Sequence, residues 1–86
     1  MTKDERRAAI RLELVRLIGN ERKRRRLSKN SLAVLAGLNQ STVSRLENHP
    51  DNPTLDSLQR VADALKTNLG TLLQRATQNI DRKPRT

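Results

Sequence analysis

The fold is decided by residues 32–55, LAVLAGLNQSTVSRLENHPDNPTL. Two short apolar runs flank a glycine, and the second run is broken by QSTVSR, a dense set of small hydrogen-bonding side chains. Ser28 precedes the first run as a good helix N-cap, and the spacing predicts a helix over 29–36 with Leu32, Ala33, Leu35 and Ala36 facing inward. Gly37 follows the last periodic residue, where a left-handed C-cap is expected. Asn39 can cap a further helix over 40–48, with Val43 and Leu46 inward. Two short helices joined by so few residues have helix-turn-helix geometry. That geometry needs a small residue at the crossing, a residue tolerant of positive φ in the turn, and a branched anchor beneath the second helix. Ala33, Gly37 and Val43 meet the three needs at the right spacing.

Working outward, residues 4–26 read as a first helix, with Ile10, Leu14, Val15, Leu17 and Ile18 at helical spacing and Asp4 and Glu5 in its first turn. Gly19 weakens this helix without ending it, and Leu12 falls off the apolar stripe. The segment HPDNP (49–53) is a loop. Thr54 caps a fourth helix over 55–66, with Leu55, Leu58, Val61, Ala62 and Leu65 on one face. Asn68 caps a fifth over 69–76, with Leu69, Leu72, Leu73 and Ala76. The remaining TQNIDRKPRT holds one aliphatic residue and is expected to be mobile. The chain thus divides into an N-terminal basic extension of helix 1 (1–13), a helix-turn-helix domain (14–76) and a basic flexible tail (77–86). Five helices and no strand make the fold class all-α.

Composition agrees. The 86 residues suffice for one small domain, and they include no Trp, Tyr, Phe or Cys. A core of leucine, valine, isoleucine and alanine favours helices over sheets. Without cysteine there is no disulfide or thiolate metal site, which fits a reducing, cytoplasmic setting. The polar N-terminus predicts no signal peptide, and no apolar run approaches membrane-spanning length. The net charge of +9 is uneven. Residues 1–29 carry eleven Lys/Arg against four Asp/Glu, residues 30–76 four against four, and residues 77–86 three against one. A neutral middle between basic arms points to nucleic acid.

The exposed face of helix 40–48 sharpens this. Gln40, Ser41, Ser44, Arg45 and Asn48 fall on one side, opposite Val43 and Leu46. Gln pairs bidentately with adenine, Arg with guanine, and Ser with several base edges, and a recognition helix reads with its N-terminal residues. A merely solvated face would be richer in Lys and Glu. The chain lacks the aromatic platform of single-strand and RNA readers, so double-stranded DNA is the expected partner. The run RKRRR (22–26) offers phosphate contacts, although cations also suit a helix C-terminus on electrostatic grounds alone.

Residues 14–76 resemble the phage-repressor, Cro-type helix-turn-helix family, also called the XRE family. The resemblance is carried by RxxRRLS (22–28), LAVLAGLNQSTVSRLEN (32–48), LDSLQRVADAL (55–65) and NLGTLL (68–73). It implies a five-helix lambda-repressor-like domain in which Arg22 and Glu47 form a buried ion pair tying helix 1 to helix 3. It also implies that position 29 lies near phosphate and bases, that positions 40, 41 and 44 contact bases, and that Asn48 contacts phosphate. The chain departs from the family at Lys29, where Gln is usual, and at Arg26, His49-Pro50 and Lys66, where Gly is usual. ENHPDNPTL (47–55) resembles the corresponding loop of HipB-type antitoxins, repressors of this family that also bind a toxin.

The sequence therefore predicts a sequence-specific double-stranded DNA-binding regulator, a repressor working as a homodimer. Gln40, Ser41, Ser44 and Arg45 would contact bases, and Lys29, Arg24, Arg25, Thr42 and Asn48 the backbone, with Arg22–Glu47 as the structural pair. Repression would follow from blocking polymerase, as 86 residues leave no room for a ligand-binding or activation domain. The resemblance makes such a protein bacterial or phage-encoded, cytoplasmic and nucleoid-associated when bound. No cofactor or metal is expected, and no enzyme: there is no Gly-rich phosphate loop, and His49 is the only histidine available as a base. Two other readings stand beside this one. The first is an antitoxin that binds a toxin protein and autoregulates its operon. The second is a nonspecific nucleic-acid coat led by the basic arms. His49 reads as an ordinary solvated loop residue, and Val34 and Leu12 as single exposed apolar side chains.

Overall fold

A computed structural model describes residues 1–49 and 52–82. These form five helices: α1 (Lys3–Arg24), α2 (Lys29–Ala36), α3 (Gln40–Asn48), α4 (Leu55–Ala64) and α5 (Leu69–Asp81). No strand occurs among the described residues. Pro50 and Asp51 of the expected loop, and residues 83–86 of the expected tail, lie outside them.

The core is aliphatic. Ile18, Leu32, Val43, Val61, Leu65 and Leu72 are fully buried, and Leu14, Val15, Leu17, Ala33, Ala36, Leu46, Leu58 and Ala76 join them in the cluster. α1 lies along α5, while α2 packs on both α3 and α4. Ala33 is buried at that junction, so the short helices approach closely. Gly37 takes φ +69° in the turn between α2 and α3, and a Cβ there would stand 3.3 Å from Arg60 Nη1. The left-handed backbone favours glycine, and a Cβ would need only the exposed end of the Arg60 side chain to give way.

Three helices end in the same way. Each has one left-handed residue whose amide, with the next one, folds back onto the last turn. In α1 the Arg26 and Leu27 amides donate to the Lys23 and Arg22 carbonyls at 2.9 and 3.1 Å. In α2 Gly37 and Leu38 donate to Val34 and Ala33 at 3.2 and 2.9 Å. In α4 Lys66 and Thr67 donate to Asp63 and Ala62, both at 3.0 Å. Arg26 and Lys66 thus adopt φ +57° and +54° without being glycine. At position 49 the chain leaves α3 differently, with His49 at φ −135°, which any residue accepts.

Several boundaries differ from the sequence reading. α1 and α4 stop at Arg24 and Ala64 instead of 26 and 66, because the left-handed residues end them. α5 runs five residues beyond 76. Ile80 is buried, Asn79 Nδ2 donates to Glu13 Oε2 at 2.8 Å, and Arg6 donates from Nε and Nη2 to Asp81 at 3.0 Å each. Residues 77–81 are therefore the last turns of a helix clamped to the start of α1. The Arg6 hydrogen bonds hold the Asp81 carboxyl below its usual range. Their contribution is present above the unfolded carboxylate pKa and is lost as the pH falls through the lowered value.

Leu35 and Leu55, expected inward, are exposed. Leu35 lies roughly 110° around α2 from the centre of the arc that holds Leu32, Ala33 and Ala36. Leu55 is the first residue of α4, and its side chain projects past the last packed turn. Leu73 sits at the edge of its stripe and is also partly exposed. Ser28, Thr54 and Asn68 make side-chain caps to the amides of Ser31, Ser57 and Thr71. Asn39 occupies the N-cap of α3 but makes no side-chain cap bond.

The two strained caps give a stability test. Replacing Arg26 or Lys66 by Gly should each raise the unfolding free energy by about 0.5–1 kcal/mol, since a left-handed L-residue costs more than glycine loses in unfolded-state entropy. Urea unfolding of the two variants measures this. A loss of stability in both would contradict the assigned backbone.

Candidate nucleic-acid interface

The orientation of α3 is set by one buried pair. Arg22 is 8% exposed, the one charged residue in the buried class among the described residues. Its Nε and Nη2 donate to Glu47 Oε2 and Oε1 at 2.7 and 3.0 Å, and its Nη1 donates to the Leu27 carbonyl at 2.7 Å. One guanidinium thus ties together α1, the turn into α2, and the end of α3. Such a pair is costly to break from one side, by about 3–5 kcal/mol, because the remaining charge is left buried. Gly19 lies against the pair: a Cβ there would stand 3.4 Å from Glu47 Oε1, about van der Waals contact.

With Val43 and Leu46 buried and Glu47 held by α1, the opposite side of α3 is turned to solvent. Gln40, Ser41, Arg45 and Asn48 are exposed, and Ser44 is half-exposed. Asn48 Nδ2 donates to Ser44 Oγ at 3.3 Å, a contact between neighbouring turns of the same face. Helical geometry places these five within one arc, so the structure brings them together. Thr42 is elsewhere. It is half-buried on the side facing α4, where it lines a cleft of about 140 Å³ with Arg45, Pro53, Thr54 and Ser57.

The basic run divides into four environments. Arg22 is spent on the core pair. Lys23 lines a cleft of about 350 Å³ with Arg16, Asn20 and Asn48, beside the end of α3. Arg24 donates from Nε and Nη2 to Glu21, and Arg25 Nε lies 3.6 Å from the same carboxylate. The Arg24 hydrogen bonds hold the Glu21 carboxyl below its ordinary range; burial opposes this, and the charges of Arg24, Arg25 and Arg75 assist it. Arg26 sits in the left-handed turn.

The structure adds to the reading of two residues. Asn39 is exposed with its side chain unspent on capping, the Thr42 amide donating instead to the Asn39 carbonyl at 3.0 Å, so its carboxamide stays available. Lys29 is the first residue of α2, where a cation opposes the helix dipole. The first turns of α2, α3 and α5 contain no acid, whereas α1 and α4 carry Asp4, Glu5 and Asp56 there. Helix N-termini left without acid are suited to anions supplied from outside. Only Lys29 carried a signal in the sequence; that Asn39 leaves its cap unmade needs the side-chain geometry.

No metal-binding cluster of His, Cys, Asp or Glu occurs among the described residues. No described helix is long and apolar enough to cross a membrane. A family model described as helix-turn-helix (HTH_3) matches residues 18–72, which span α2, α3, α4 and the adjoining parts of α1 and α5. No curated protein and no solved structure matches the chain.

Replacing Lys29 by Glu should stabilise the free protein by about 0.5–1 kcal/mol through the dipole while weakening its affinity for DNA. Thermal unfolding and a binding titration on the same variant check both signs. Unchanged DNA affinity would remove Lys29 from the interface.

Proposed function

As a member of the Cro/C1-type helix-turn-helix family, this chain is a DNA-binding transcriptional regulator acting on double-stranded DNA, and we propose that it is a homodimeric repressor that reads the major groove with α3. The observation that carries this reading is the α3 face. Five polar side chains, none of them Lys or Glu, share one exposed arc on a helix locked from behind by Val43, Leu46 and the Arg22–Glu47 pair. Gln40, Ser41, Ser44 and Arg45 choose the sequence by hydrogen bonds to base edges. Lys29 and Asn48 fix the register on phosphates, with Arg24 and Arg25 at the end of α1 adding backbone contacts. Thr42, set aside on the α4 flank, touches backbone only from the edge of the groove.

One domain of this size offers a small interface, so two copies on a pseudo-palindromic site supply the affinity and double the sequence read. The exposed flanks of α5 and of the α1 extension are the surfaces open to such pairing; Leu12 and Leu73 lie there. Repression then needs only occupancy of a site that polymerase must cross. The antitoxin reading would add a toxin protein as a further partner. Its support is the likeness of loop 47–55, part of which lies outside the described residues.

Gln40→Ala tests the reading. It should cost about 1–3 kcal/mol on the preferred duplex and almost nothing on a random one. Titrations of both duplexes at one salt concentration measure it. Equal small losses on the two would reduce the protein to a nonspecific coat.

A further inference from the structure

Glu21 is the only Asp or Glu between Glu13 and Glu47, a stretch that holds the whole basic run and most of the helix-turn-helix. It lies one turn before the arginines assigned above to the DNA backbone. Its carboxylate accepts from Arg24 Nε at 3.0 Å and from Arg24 Nη2, and Arg25 Nε lies 3.6 Å away. The Nε–Nη2 edge of a guanidinium is an edge it uses to take a phosphate bidentately. In the free protein a carboxylate already occupies that edge. The Glu21 side chain is 18% exposed, whereas that of Arg24 is 70% exposed. The acid is screened by its cations, and the arginine remains within reach of an incoming strand.

We propose that Glu21 is an internal competitor for DNA phosphate, which Arg24 and Arg25 must leave before they can contact the backbone. The proposal rests on the reading of those two arginines as phosphate contacts. Each arginine then contributes only the difference between a phosphate and a carboxylate partner, and it displaces less of the DNA counterion atmosphere than a free guanidinium would. Affinity for DNA of any sequence falls, while the base contacts of α3 are untouched. Specific and nonspecific complexes lose the same factor, so the ratio between them holds while total retention on DNA falls. A chain of net charge +9 has need of such a restraint.

The test is a salt titration on a random-sequence duplex with Glu21→Gln, Arg24→Ala and the double variant. Asp63→Asn serves as the control, removing the same charge from an exposed acid of α4 that makes no ion pair among the described residues. Glu21→Gln should bind more tightly than Asp63→Asn, with a log–log salt slope steeper by up to about 0.9 per released arginine. Arg24→Ala should cost more in the Glu21→Gln background than in the wild type. If Glu21→Gln behaves like Asp63→Asn, and Arg24→Ala costs the same in both backgrounds, Arg24 touches phosphate but Glu21 does not compete, and the proposal is overturned. If Arg24→Ala costs nothing in either background, the phosphate assignment of Arg24 falls, and the proposal falls with it.

Discussion

Everything the α3 face does depends on the Arg22–Glu47 pair. An eight-residue helix and a nine-residue helix have little surface with which to fix their own orientation. Apolar contacts hold α3 down through Val43 and Leu46, but packing alone is non-directional. The bidentate guanidinium adds direction, because its planar fork fits a carboxylate in one plane. Its remaining nitrogen reaches the Leu27 carbonyl, so the same side chain also fixes the turn that starts α2. A buried ion pair is weak evidence for stability as such, since hydrophobic replacements often serve as well. Its value here lies in geometry: it fixes the angle at which α3 is presented.

Around this fixed point the charges are arranged by sign and place. Acids occupy the first turns of α1 and α4, where they complement the helix dipole and pair within the protein. The two helices of the helix-turn-helix have none there, and Lys29 stands at the start of α2. That placement costs the free protein something and suits a bound anion. Arg26 and Lys66, cations at helix C-termini, hold left-handed backbone that glycine would hold more cheaply. The dipole offsets part of that cost. The long α1 and α5 close on each other through Arg6–Asp81 and Glu13–Asn79, beyond the stretch the family model covers. They form a brace beyond the helix-turn-helix.

Much of this was legible in the sequence, and the reasons are particular. α2 and α3 have the expected bounds because caps and turn residues mark both ends of each: Ser28, Gly37, Asn39 and the proline-rich loop. The family was legible because Ala33, Gly37 and Val43 meet distinct steric needs at fixed spacing. The end of α5 was not legible, because a single isoleucine in TQNIDRKPRT gives no periodicity, and the clamp to α1 is a contact across the whole length of the chain. Leu35 and Leu55 were misplaced because, in helices this short, a residue at the edge of a stripe has no neighbour to cover it. Of the site, the α3 face could be read from helical spacing. The division of RKRRR into a core residue, a cleft residue, a pair held by Glu21 and a left-handed turn residue could not, since five adjacent cations look alike until their partners are known.

Selection of bound duplexes from a random library at about physiological salt tests the central claim most directly. The account predicts an enriched, two-fold symmetric motif whose half-sites lie about one helical turn, roughly 10 base pairs, apart. A library that emerges unenriched, with binding that vanishes as salt rises, would contradict it: α3 would then not be reading bases, and the basic surface alone would account for the affinity.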